Sequence, residues 1–151
     1  MHNIDIVDEN DNVIGECSVK EAHEKKLLHR VSVVYLINDK REILVQERMD
    51  DGHLDHSAAG HVDKGETYID AAKRELKEEL GVESVTLKHL GKISVGVHFF
   101  DVYYTKGEPG KIQEEEVKRV FWANPEDVKR DMVISPDKYS SGFKASIKFI
   151  I

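Results

Sequence analysis

Cysteine is almost absent: Cys17 stands alone in 151 residues. That excludes an internal disulfide framework and every multi-cysteine zinc site, and suggests a reducing compartment. Cys17 itself sits in a polar stretch and reads as a bystander rather than a nucleophile. A basic excess is also missing, since 22 Lys and Arg face 29 Asp and Glu for a net charge of -7. No overall positive field is available to gather RNA or DNA, although a small anion can still be reached through a metal. No apolar run approaches the ~20 residues that span a bilayer, and Met1 to Glu9 has neither the basic nor the apolar region of a signal peptide. The expectation is a cytoplasmic protein with no membrane partner and no nucleic-acid polymer as partner.

What is present suits one globular domain over residues 1–151. The hydrophobic share of 40% is too high for a disordered chain, and this length buries about two thirds of its unfolded surface. Repeats, low complexity and linkers are absent. Ile4 to Val7 and Val13 to Gly15 flank a polar turn and predict a small hairpin, and Ser18 to Leu28 is charged and helical or irregular. Residues 1–28 thus form a hairpin and lead-in, and 29–151 the core. Val31 to Ile37 is a continuous β-branched apolar run, as in a strand buried on both faces, and Glu42 to Arg48 is its antiparallel partner. Val85 to Leu90, Ile93 to Tyr104 and Val117 to Trp122 are β-rich. Asn124-Pro125 begins a helix, and Pro136 to Ile151 reads as a closing helix weakened by Ser140, Ser141 and Gly142. Phe99, Phe100, Tyr103 and Tyr104 read as core and cross-strand packing rather than a base-stacking surface.

The strongest local signal is Thr67 to Val82. Thr67 is a suitable N-cap and Gly81 a suitable C′ residue, and the interior favours good helix formers. Ile69, Ala72, Leu76 and Leu80 share one face, expected to pack on the sheet. Glu75, Glu78 and Glu79 share an adjacent arc, because separations of three and four residues bring side chains together. Three carboxylates so placed repel one another, and a hard divalent cation such as Mg²⁺ or Mn²⁺ cancels the penalty. The alternative is a solvated face with Lys73 and Lys77 as ionic neighbours.

The surrounding residues decide between these. Gly60, Glu66, Arg74-Glu75-Leu76, Glu78-Glu79 and Gly81-Val82 complete the pattern GX5EX7REUXEEXGU, and residues 60–82 thereby resemble the box of the Nudix hydrolases. The resemblance implies an α/β/α sandwich with a mixed sheet and hydrolysis of a phosphoanhydride bond in a small-molecule diphosphate, with Mg²⁺ or Mn²⁺ as cofactor. It implies Glu75 and Glu79 as principal metal ligands, Glu78 at a second ion or polarising a water, and the Ala59 carbonyl as a further ligand. Glu66 and Arg74 pair to fix the loop on the helix, while Gly60 and Gly81 shape it. A further acid comes from the loop before a later strand, with Glu116 the first choice and Glu115 the second. The implied chemistry is in-line attack of a metal-activated water on phosphorus with a carboxylate as base.

Outside the box, Leu28-His29-Arg30, the Glu42 to Arg48 strand and Ser57-Ala58-Ala59-Gly60-His61 resemble the isopentenyl-diphosphate-isomerase-like branch. Isomerisation needs a cysteine where Ala59 stands, and an acidic pair where the chain has Gly96-Val97-His98, so that reaction is unsupported. His29 and His61 match two isomerase metal ligands, and His23 is one residue out of register for a third. Without the acids, these histidines read as loop or capping residues ahead of a metal site. Arg48 and His61 are the phosphate-contact candidates. Leu54, between His53 and His56, stands where related proteins often carry tryptophan. The other readings are a catalytically silent ligand-binding Nudix domain and an RNA-decapping role, the latter disfavoured by the acidic balance. Monomer and homodimer are equally open.

Overall fold

The computed structural model describes residues 3–150. The N-terminal segments form the expected hairpin, β1 (Asn3–Val7) against β2 (Val13–Ser18). Asp8 Oδ1 closes the turn by accepting the amides of Asn10 and Asn12, each at 2.9 Å. Ser18 then accepts the Glu21 amide at 3.2 Å and caps α1 (Val19–Glu24), so the charged lead-in is one short helix followed by a turn.

The central strand is β3 (His29–Ile37). Its apolar run serves two cores because successive side chains leave a strand on opposite faces. Val31, Val33 and Tyr35 enter one core, and Val34 and Leu36 the other. β4 (Ile43–Arg48), β5 (Leu54–Asp55) and β6 (Ala58–His61) follow, then α2 (Tyr68–Leu80). β7 (Lys88–Val95), β8 (His98–Lys106) and β9 (Val117–Ala123) complete the strands, and α3 (Pro125–Ile134) and α4 (Ser141–Ser146) the helices. Among the described residues the sheet has nine strands. It is mixed: β3 runs parallel to β8 along one edge, while its other edge meets β6 in antiparallel register. β4 joins β3 only at Ile37↔Ile43, then turns away to pair with β9 and β5.

Helices cover both faces, giving the three layers expected. Ala72, Leu76 and Leu80 of α2 pack against Val34, Leu36 and Leu44. On the opposite face Val128 and Met132 of α3 and Phe143 of α4 meet Val33, Tyr35 and Val45. Full burial of a side chain such as Leu76 stabilises by roughly 2 kcal/mol. The fully buried Tyr35 hydroxyl is satisfied by Ser146 Oγ at 2.6 Å. None of the described helices is long and apolar enough to cross a membrane.

Three expectations need correction. Ile69 lies at the helix's outer edge and is 37% exposed, while Ala71 takes the buried place beside Ala72, because the packed arc is centred later in the turn. The β-rich stretch from Ile93 to Tyr104 is two strands: Gly96, at φ +59°, reverses the chain between β7 and β8. The closing helix is broken into a 3-10 turn at Pro136–Lys138, α4 and a second 3-10 turn at Ile147–Phe149. There Ser140 acts as a cap, its hydroxyl accepting the Phe143 amide at 3.2 Å. Ile151, the last residue of that predicted helix, lies outside the described residues.

Candidate active site

α2 begins and ends where its caps dictate. Thr67 Oγ1 accepts the Asp70 amide at 3.2 Å, and Gly81 closes the helix at φ +66°. A β-carbon at Gly81 would also press on the Lys111 backbone at 2.7 Å, so the loop that follows β8 lies tight against the helix end. The Glu79 carbonyl accepts the Gln113 amide at 2.9 Å, which docks that loop further. Glu75 and Glu79 are 9% and 7% exposed, although both are carboxylates. Glu78 lies on the open side of the helix.

The pairing of β3 with β6 explains what faces these acids. Val62 donates to the Arg30 carbonyl at 3.0 Å, and antiparallel pairs alternate between bonded and non-bonded. Opposite Val33 and Val31, Ala59 and His61 therefore fall at non-bonded positions, where their backbone polar groups turn away from β3. The Ala59 N–H donates to Glu79 Oε1 at 3.2 Å, and the His61 carbonyl accepts from Arg74 Nη2 at 3.0 Å. Gly60, between them, lies directly against the Glu75 carboxylate, where a β-carbon would overlap it.

Arg74 is the hub. It grips Glu66 through Nε at 2.8 Å and Nη2 at 2.9 Å, and Nη1 donates to Glu75 Oε1 at 2.6 Å. Glu66 Oε1 in turn accepts the Asp63 amide at 3.0 Å, tying the loop between β6 and α2 to the helix. Two parallel bonds of this kind are the strong, directional form of an arginine–carboxylate pair. Even with Arg74 alongside, burial pushes the Glu75 carboxyl up to about 7. Burial, and then Glu75 itself, push Glu79 up to about 8, against the opposing hydrogen bonds from Gln46 and Ala59.

A cleft of about 930 Å³ opens over these acids. Glu115 and Glu116, brought by the loop before β9, both line it. Glu116 is near enough to raise the proton affinity of both Glu75 and Glu79. Arg48 lines it as well, with Nη2 on Asp50 at 3.0 Å and Nη1 3.8 Å from Asp55. A set of buried carboxylates converging with backbone oxygen on one cleft is chemistry able to hold a hard divalent cation.

Several contributors escape sequence reasoning. Gln46 of β4 anchors Glu79, its Nε2 donating to Glu79 Oε1 at 3.2 Å and to the Ser57 carbonyl at 2.8 Å. The one sequence signal is a polar residue inside the apolar run Ile43-Leu44-Val45. Asp55, His56 and Ser140 form a buried polar wall of the same cleft, with Ser140 Oγ donating to Asp55 Oδ1 at 2.7 Å. His61 does not project alone into the cleft; its ring stacks on His29 with centroids 5.2 Å apart. His23 and His98 join them, so the out-of-register His23 is brought in after all. Burial, followed by the neighbouring imidazoles, pushes His61 and His98 down to about 4.

Comparison with known proteins bears on the family and the fold. The sequence model of the NUDIX domain matches residues 27–141. An uncharacterized Nudix hydrolase of Yersinia pestis is 33% identical over 135 residues, spanning 83% of this chain and 74% of that protein. An isopentenyl-diphosphate Delta-isomerase of Pectobacterium atrosepticum is 27% identical over 153 residues, spanning 92% and 86%. Among solved structures, a Deinococcus radiodurans protein superposes with a TM-score of 0.86 at 22% identity, over 98% of each chain. A MutT NUDIX hydrolase from Burkholderia pseudomallei gives 0.67 at 18% identity, over 82% of this chain and 98% of its own. The three-layer fold, the box on α2 and its loop, and these matches together carry one conclusion: the chain belongs to the Nudix hydrolase family.

Proposed function

We propose that this chain is a divalent-metal-dependent hydrolase that cleaves the phosphoanhydride bond of a small molecule, a nucleoside diphosphate linked to a further moiety. The observation that carries this reading is the burial of Glu75 and Glu79 together, facing Glu116 across one cleft. Buried carboxylates that repel one another destabilise the fold unless a cation offsets them, so the residues fit Mg²⁺ or Mn²⁺. Glu75 and Glu79 would hold the ion, with Glu78 and the Ala59 carbonyl as further oxygens. When bound, such an ion neutralises phosphate charge and makes water a better nucleophile.

The chain's own groups do the rest. Glu116, with Glu115 and Glu78 as the other acids of the cleft, takes the proton from the attacking water. Arg48 and His61 stand on the cleft wall as contacts for the substrate phosphates. Gln46 and Arg74 hold Glu79 and Glu75 in place. Isomerisation is not favoured: Ala59 has no thiol, and Cys17 is buried in a separate cluster with Ile4, Ile6 and Ala22.

The test is a panel of nucleoside-diphosphate-linked compounds with Mg²⁺ or Mn²⁺, read by release of phosphate or nucleotide. Metal-dependent turnover is expected on part of the panel, with no isotope exchange into isopentenyl diphosphate. No turnover anywhere, together with tight binding of an uncleaved diphosphate in the presence of metal, would instead establish a silent binding domain.

A further inference from the structure

Strand register sets a second polar wall beside the carboxylates of α2. Asp55 of β5 is the direct partner of Gln46, and Arg48 follows Gln46 at the two-residue period of β4, so the three share one face of the sheet. Gln46 Nε2 donates both to Glu79 and to the Ser57 carbonyl, which ties this wall to the acids. Asp55, His56, Phe100, Ser140 and Gly142 all line the cleft.

His56 is the member whose polar groups are unspent. It is 3% exposed, and its ring is fixed between Tyr35 and Phe143, with centroids 5.9 Å from each. Neither ring nitrogen has a hydrogen-bond partner among the described residues. Nδ1 lies 2.8 Å from Asp55 Oδ1 but off the bonding line. That oxygen already accepts the His56 amide at 2.9 Å and the Ser140 hydroxyl at 2.7 Å. Nε2 faces Gly142, where a β-carbon would stand 3.2 Å away and cover it. Asp55 Oδ2 is 3.8 Å from Arg48 Nη1, beyond hydrogen-bond range. Buried polar atoms left unpaired cost free energy, and a ligand group that pairs with them recovers it.

The chemistry of the wall selects that group. A carboxylate only accepts, an imidazole offers one donor and one acceptor, and a serine hydroxyl offers both. A hydroxyl, itself donor and acceptor, satisfies each of them; a prenyl chain satisfies none and leaves them buried without partners. Among the described residues no tyrosine or tryptophan lines the cleft, and Phe100 is 7% exposed, so no phenyl face is offered to a stacked base.

We infer that Asp55, His56 and Ser140, with Gly142 kept small beside them, form the specificity subsite of the cleft and take the hydroxyls of a sugar or polyol esterified to the diphosphate. This rests on the diphosphate reading of the site and adds what lies beyond the phosphates. Arg48 stands at the join, reaching towards the phosphates while Asp55 lies beside it. The hydroxyls belong either to the ribose of a nucleoside or to a second sugar linked through the diphosphate.

The test reads binding rather than turnover, by calorimetry in Mg²⁺ with diphosphates whose bridging oxygen is replaced by methylene. The probes are a nucleoside diphosphate, a sugar diphosphate without a base, and a prenyl diphosphate, all methylene-bridged. A hydroxylated probe should bind at least about tenfold tighter than the prenyl one, and whichever of the two does so identifies the source of the hydroxyls. His56→Leu, close in volume, should lose that preference with Tm unchanged or raised, because the ring has no hydrogen bond to lose. His56→Gln, which restores a donor and an acceptor, should recover part of it. The inference is overturned if the prenyl probe binds as tightly as the others, or if both His56 variants keep the full preference. Those results leave the hydrolase reading standing, whereas failure of every probe to bind would remove that reading and this subsite with it.

Discussion

Gly60 and Glu75 fit against each other so closely that a β-carbon on Gly60 would occupy the space of the Glu75 carboxylate. Glu75 cannot retreat, because Arg74 holds its Oε1 at 2.6 Å and the helix is packed behind it. Gly60→Ala should therefore push the carboxylate out of position. A displacement of about 1 Å at a reacting centre costs on the order of a hundredfold in rate. We expect kcat/KM to fall at least tenfold with the folded circular-dichroism spectrum retained; unchanged kinetics would contradict this packing.

Arg74 joins the box loop to the helix through Glu66, the His61 carbonyl and Glu75. Lysine supplies charge but not the planar fork, so it cannot hold all of these at once. Arg74→Lys should raise the Mg²⁺ concentration needed for half-maximal activity by about tenfold or more, the usual effect of losing a group that orients metal ligands. Activity titrated against Mg²⁺ checks it. A loss of kcat with no change in the metal requirement would place Arg74 in a different role.

Proton binding makes a further prediction. Without a cation, folded Glu75 and Glu79 hold protons up to about pH 7 and 8, whereas in the unfolded chain they release them near 4.3. Between those limits the folded state binds more protons, so the contribution of these acids to stability falls as pH rises. In EDTA, the gain in Tm of Glu79→Gln over the unaltered chain should grow from pH 5.5 to pH 8.5. Mg²⁺ should raise the Tm of the unaltered chain more at the higher pH. A stabilisation by Mg²⁺ that shrinks with rising pH would contradict the assignment.

The core beneath the site has its own test. Leu76 is fully buried between α2 and the sheet, in contact with the cluster of Val34, Leu36 and Leu44. Leu76→Ala should cost about 2–5 kcal/mol in urea unfolding with little change in m-value. A cost well under 1 kcal/mol would mean that this face of the helix carries little of the packing.

Much of this is legible in the chain because it is local. Thr67 and Gly81 bound α2 through their own cap chemistry, and the spacing of Glu75 and Glu79 places both on one arc wherever the helix goes. The double burial of Val31 to Ile37 follows from an unbroken apolar run. Gly96 was hidden within a β-rich stretch, because apolar residues on both sides continue the strand pattern through the turn. Ile69 follows the helical period yet is exposed, because the period sets the spacing of an apolar arc and not how far the packing along it extends. Least legible were Gln46 beside Glu79 and His98 beside His29, separated by 33 and 69 residues in sequence and joined only by strand register. No local pattern encodes such pairings.

The most direct test is kcat/KM of the unaltered chain and of Glu79→Gln, measured side by side with Mg²⁺ on a phosphoanhydride substrate that the panel yields. The change removes one buried carboxylate charge while keeping the shape of the side chain and a polar group facing Gln46 and Ala59. Loss of at least about a hundredfold, with Tm maintained or raised, is the predicted result. Full activity in Glu79→Gln would contradict a hydrolase built on the paired carboxylates of α2.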